Sequence, residues 1–224
     1  MTLNGCRCVL LWLALVLGST PVAADASLEL FVDDPAALKE IERRFGRDAR
    51  LRMLHVAKII AEGPALSEQQ KLHAVNDFFN LFRFVPDSEE WGVEDYWASP
   101  LEFISHNAGD CEDFALAKYF TLLSIGVSSE QLRLTYVNAL ELGQAHMVVT
   151  FYPKPEAEPL VLDNLTSDIL PASERPDLTP VYSFNGVGLW LAKERGKGRF
   201  VGSSSQLTRW AELNRKMADA RLLP

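Results

Sequence analysis

Residues 109–126 read GDCEDFALAKYFTLLSIG, from Gly109 to Gly126. Between Cys111 and Ile125 the stretch is apolar on nearly every face, and Gly126 can close it. A helix of that kind belongs inside a core, packed from several sides. The pattern differs on its two flanks. Upstream, apolar residues recur at helical spacing. Leu38, Ile41 and Phe45 lie between Asp34-Pro35 and Gly46, and a second segment runs from about Asp48 to Glu62 before Gly63-Pro64. Leu72, Val75, Phe78, Phe79 and Phe82 follow a Ser67/Gln70 capping box. Pro86 stops that segment, a polar loop runs from Asp87 to Trp97, and Ser99-Pro100-Leu101-Glu102 opens a short helix over about 100–107. Downstream the alternation is that of strands at Leu132–Ala139, Ala145–Tyr152, Leu160–Asp163 and, more weakly, Val187–Ala192. Gly143, Pro153, Pro155 and Pro159 separate them, and residues 205–221 close the chain as an amphipathic helix carrying Leu207, Trp210, Leu213 and Met217. Helices followed by antiparallel strands predict one α+β domain over residues 25–224, its N-terminal helices packed on the sheet.

The chain has 224 residues, is 48% hydrophobic and carries a formal charge of −8. That composition supports a packed core and excludes disorder or a coiled coil. An acidic chain without a basic stripe is also a poor nucleic-acid binder. Residues 1–24 read as a secretory signal: Arg7 is their only charge, Val9–Leu17 is unbroken apolar sequence, and Val22-Ala23-Ala24 offers small residues for cleavage before Asp25. Crossing a bilayer takes about 20 apolar residues, more than this run holds. Cys6 and Cys8 precede the run and leave with it, so Cys111 becomes the one thiol of an exported protein. Disulfide stapling is thereby excluded, and an unpaired cysteine is either an inert small hydrophobe or a reactive group.

Cys111 opens the buried helix, where unpaired N–H groups and the positive end of the dipole favour a thiolate. His146 lies in the second strand within Ala-His-Met-Val-Val-Thr, and Asp163 ends the third. A nucleophile at a helix start, a base on one strand and an orienting carboxylate on the next make a thiol triad. Each residue also has a structural reading: a buried cysteine, a hydrogen-bonded core histidine and a turn-capping aspartate. His106, five residues before Cys111, is an alternative base but falls on the short helix; His55 and His73 sit in helical patterns as packing or surface residues. Trp91, Tyr96 and Trp97 suit either a binding groove or the core.

Gly109 to Ala115, Ala117-Lys118-Tyr119-Phe120, Leu132-Arg133, Tyr136-Val137, His146-Met147-Val148 and Val161-Leu162-Asp163-Asn164 together resemble the bacterial transglutaminase-like cysteine proteinases. Within that family they are most similar to the LapG-type periplasmic proteases. The segment Trp91–Phe103 agrees, and the similarity spans roughly residues 30–210. The resemblance implies a papain/transglutaminase-like fold and a catalytic triad of Cys111, His146 and Asp163. It further implies a periplasmic, calcium-dependent endopeptidase that cuts a large surface adhesin near a di-alanine site, releasing it and dispersing biofilm. Such enzymes are held inactive by a LapD-type inner-membrane receptor that senses cyclic-di-GMP.

Electrostatics supplies a separate argument for a cation. Asp110, Glu112 and Asp113 flank a thiol that must itself become an anion, and nearby carboxylates raise its pKa against the helix dipole. Acids in a first helical turn also serve as ordinary caps. With the resemblance, they are expected to hold Ca²⁺, through Asp110 and Glu112 first and Asp113 as a further ligand. Two other functions fit the same residues: a protein-crosslinking transglutaminase, which shares the thioester, and a catalytically silent calcium-binding adaptor docked on a membrane receptor.

Overall fold

The computed structural model describes residues 34–193 and 196–218, so the signal-peptide reading of residues 1–24 lies outside the described residues. Helix α1 (Pro35–Phe45) starts where the Asp34 side chain accepts the N–H of Ala36, and Gly46, at φ 86°, ends it. A left-handed backbone there suits glycine. Helix α2 (Arg47–Glu62) follows, and α3 (Glu68–Phe79) opens with the expected capping box between Ser67 and Gln70. Phe82 falls beyond the end of α3, yet it is buried and packs on Phe79 and Phe103. The stretch read as a loop contains one helical turn, α4 (Asp87–Glu90). Helix α5 (Pro100–His106) carries the second capping box, and Arg52 of α2 donates to the carbonyl oxygens of Ile104 and Ser105 at its far end, 2.7 Å each.

Helix α6 (Cys111–Ser124) is the axis of the molecule. Every residue from Asp113 to Leu122 is buried. It lies between α3 and α5 on one side and the sheet on the other. Phe79, Phe103, Leu116 and Leu122 join Leu134, Met147, Val149 and Phe184 of the sheet in one continuous core. Helix α7 (Thr208–Ala218) closes that core through Trp210, Leu213 and Met217, with the Trp210 ring stacked on Phe120 at 5.7 Å.

A two-residue parallel ribbon pairs β1 (Arg83–Phe84) with β2 (Ala108–Gly109). The main sheet comprises β3 (Leu132–Ala139), β4 (Gln144–Phe151), β5 (Leu160–Leu162), β6 (Leu170–Pro171), β7 (Leu178–Phe184), β8 (Leu189–Lys193) and β9 (Gly196–Gly202). Its order is β6-β5-β4-β3-β7-β8-β9, antiparallel throughout. The architecture is therefore α+β, helices against an antiparallel sheet, as the periodicity indicates. Strands β7 and β9 escape the sequence reading. Pro180 sits inside β7 and ordinarily argues against a strand. The register jumps there from Tyr136 facing Tyr182 to Val137 facing Pro180, a bulge that absorbs the proline. Strand β9, GKGRFVG, has three glycines and no clean alternation, and it lies at the sheet edge.

Phe103 is fully buried among Phe79, Phe82 and Phe114, immediately upstream of the α6 entry. Truncating it leaves a cavity at the junction of three helices. The expected cost of Phe103→Ala is about 3–5 kcal/mol, measured as a lowered urea midpoint without a change in slope.

Candidate active site

The entry to α6 is built around Gly109. A Cβ there would overlap the Asp113 carboxylate and the Phe103 ring, so only glycine lets the chain pass. Asp113 uses both oxygens on backbone: Oδ1 accepts the Ala98 N–H at 2.8 Å and Oδ2 the Asp110 N–H at 3.3 Å. It is fully buried. Asp113 thus holds the 97–100 segment against the first turn of the helix, a structural duty that the sequence alone does not separate from metal ligation.

Cys111 follows as the first helical residue, partly buried and unpaired. Its thiol donates to Glu112 Oε2 at 3.1 Å, and the backbone N–H of Met147 acts to lower the thiol's pKa. Met147 is the chain neighbour of His146 on β4, the strand on which α6 packs. Burial pushes the thiol far above its ordinary range, and Glu112 and Asp110 push it further, while the Met147 N–H works the other way. With these carboxylates unneutralised, the helix dipole does not win.

His146 and Asp163 are brought into direct contact. His146 Nε2 and Asp163 Oδ1 are 2.7 Å apart, and both residues are buried. Asp163 Oδ1 also accepts the Leu165 N–H at 3.1 Å, and Oδ2 accepts Arg175 Nη2 at 2.7 Å. Arg175 is in turn clamped by Asp177. Burial favours the neutral acid at Asp163, but the hydrogen bond and charge of His146, with Arg175 behind them, overcome it and hold the carboxyl near 2. Because Asp163 takes Nε2, Nδ1 is the ring nitrogen left for chemistry. Sequence reasoning missed Arg175, which lies in a Pro- and Asp-rich segment without regular periodicity.

A cluster of acids surrounds the thiol. Oxygens of Asp87, Asp110 and Asp113 all lie within 4.8 Å of one another, as do those of Asp87, Asp95 and Glu112. Asp110, Cys111 and Glu112 form a third such group. Asp87 Oδ1 and Asp110 Oδ1 are buried without a hydrogen-bond partner. Orphaned, crowded carboxylate oxygens are what a hard divalent cation satisfies. Asp87 and Asp95 were not among the expected ligands. The only sequence signal for them is the density of acids over residues 87–95.

The remaining candidates resolve as packing or surface residues. His106 bonds Glu90 Oε1 through Nδ1 at 2.7 Å and rests on Trp91 and Phe45. His55 stacks on Phe78, and His73 is exposed. Trp97 stacks on Phe184, while Trp91 and Tyr96 pack on each other at the edge of the core.

These elements define a transglutaminase-like cysteine proteinase. Residues 57–178 match the model of the bacterial transglutaminase-like cysteine proteinase family, and the chain belongs to that family. Among solved structures it is similar to Legionella pneumophila LapG, with 47% identity over 81% of this chain and 95% of that one, at a TM-score of 0.71. The calcium-bound form of that protein gives 48% identity, 81% and 98% coverage and a TM-score of 0.70. The EGTA-treated form gives 48%, 80% and 97%, and 0.71. No curated protein matches the chain.

The acidic cluster has a consequence for stability. Burial, with neighbouring carboxylates, raises Asp87 to about 6 and Asp110 to about 8, and Glu112 and Asp113 also rise. The folded protein therefore keeps protons that the unfolded chain has lost, from about pH 4 upward. Stability present at mildly acidic pH is lost as pH rises through those raised values. In a chelator, the melting temperature should fall between about pH 5 and pH 8, and Asp110→Asn should flatten that slope.

Proposed function

We propose that the chain is an exported, periplasmic, calcium-dependent cysteine endopeptidase, with Cys111 as nucleophile, His146 as acid–base and Asp163 as the orienting carboxylate. The observation that carries this reading is the buried hydrogen bond between Asp163 and His146 of β4, the strand on which α6, opened by Cys111, packs. Nδ1 of His146 takes the thiol proton as Cys111 attacks a peptide carbonyl, then returns it to the leaving amine. Asp163, kept ionised by Arg175 and the Leu165 N–H, fixes the tautomer through Nε2–H and stabilises the imidazolium. The backbone N–H of Cys111 heads a helix whose first N–H groups lack intrahelical acceptors, and it faces the developing oxyanion. Water then hydrolyses the thioester.

Ca²⁺ fits the acidic cluster, and the calcium-bound and EGTA-treated forms of the Legionella protein support the assignment. Asp110, Glu112 and Asp87 would hold it, with Asp95 and Asp113 alongside; when bound, it supplies the positive charge that offsets the carboxylates around the thiol. Following the family resemblance, the substrate is the N-terminal region of a large surface adhesin near a di-alanine site, whose release promotes biofilm dispersal. A LapD-type cyclic-di-GMP receptor in the inner membrane sequesters the enzyme. No helix among the described residues is long and apolar enough to cross a membrane, which fits an enzyme delivered by a cleaved leader over residues 1–24.

Incubation with an adhesin N-terminal fragment, read by mass spectrometry, tests the assignment. Cys111→Ala should lower cleavage at least about 10³-fold, and Asp163→Asn by about 10²–10⁴. Chelation should abolish cleavage, and added Ca²⁺ should restore it. Undiminished release by Cys111→Ala would instead support the adaptor. Incorporation of a labelled amine without chain scission would support a transglutaminase.

A further inference from the structure

Lys118 lies in the middle of α6 and is 1% exposed, the one basic residue of a helix otherwise built for the core. An apolar side chain of similar length would fill the same volume without the cost of desolvating an amine. Its Nζ donates to Asn76 Oδ1 at 2.8 Å, to Asn80 Oδ1 at 2.6 Å and to the carbonyl oxygen of Asp163 at 3.0 Å. Burial lowers its pKa to about 7 while the charge of Asp163 works the other way; three acceptors at these distances are met together only by the protonated amine. The two asparagines spend their own hydrogens on the same segment. Asn80 Nδ2 donates to the carbonyls of Asp163 (2.9 Å) and Thr166 (3.0 Å), and Asn76 Nδ2 to that of Ser167 (3.0 Å).

The placement of Asp163 explains the need. Strand β5 ends at Leu162, so Asp163 is the first residue beyond the ladder and its peptide has no strand partner. The side chains of Asn80, which caps α3, and of Lys118 on α6 replace the missing ladder bonds. The same helix that presents Cys111 at its first residue thereby reaches, two turns later, the backbone of the carboxylate that orients His146.

We propose that Lys118, acting with Asn76 and Asn80, is a positioning residue that fixes the peptide of Asp163 and so aims its carboxylate at His146 Nε2. This rests on the triad reading above. In the full chain with Ca²⁺, Lys118→Met should lower kcat on the adhesin fragment about 10- to 100-fold, leaving KM within about twofold. It should also shift or broaden the downfield Nε2–H proton resonance of His146, a signature that needs no substrate. Should Lys118→Met fail to fold, Asn80→Ala, at a half-buried position, removes two carbonyl contacts and one ammonium acceptor and should produce the same two changes at smaller size. A lowered melting temperature with kcat and the imidazole resonance unchanged would overturn the proposal, leaving Lys118 a stabilising residue only. Asp163→Asn and Cys111→Ala serve as controls. If they cleave like wild type, the protease reading itself fails; if they are inactive while folded Lys118→Met is fully active, only the positioning role fails.

Discussion

Helix α6 is buried from Asp113 to Leu122, and its N-terminus carries a thiol and three carboxyl groups toward the interior. Much of the surrounding structure answers that constraint. Asp113 accepts hydrogen bonds from the backbone N–H groups of Ala98 and Asp110. Glu112 is engaged by the thiol. Asp110 and Asp87 keep oxygens with no protein partner at all. Crowded anions in a low-dielectric site either bind protons or bind a cation, and both outcomes set the charge next to the sulfur. A nucleophile placed there is under electrostatic control by whatever occupies the cluster.

The second half of the site is solved in the opposite manner. Asp163 is surrounded by donors: the imidazole, an amide and Arg175 on its carboxylate, Lys118 and Asn80 on its carbonyl. It is correspondingly a strong acid, whereas the carboxylates around Cys111 are weak ones. One helix separates the two environments. Its N-terminus meets acids, and its midpoint delivers a cation to the opposite side. That asymmetry keeps a permanent anion beside the imidazole and a responsive cluster beside the thiol.

The α-helical half of the molecule was legible because its signals are local. Capping boxes at Ser67 and Ser99, glycine at position 46 and an all-apolar stretch after Cys111 each specify an element through residues a few positions apart. The sheet was legible only in part. Strands β3 to β5 alternate cleanly, but β7 contains Pro180 and exists because a bulge in its pairing with β3 accommodates the ring. A bulge belongs to a pair of strands and leaves no mark on either one alone. The site divides likewise. Cys111, His146 and Asp163 stand out through residue type and element; Asp87, Asp95, Arg175 and Lys118 do not, since their roles depend on partners 12 to 45 positions away.

What the sequence determined by itself, then, is the class of fold, the family and the three residues that resemble a triad, because periodicity, caps and motif order are written within short windows. Tertiary structure alone decided which carboxylates share a cluster, that Asp113 serves the backbone, and that a buried lysine reaches the carbonyl of Asp163. Those facts arise from distances across helices and strands, where desolvation makes each charge depend on neighbours the chain brings together only by folding.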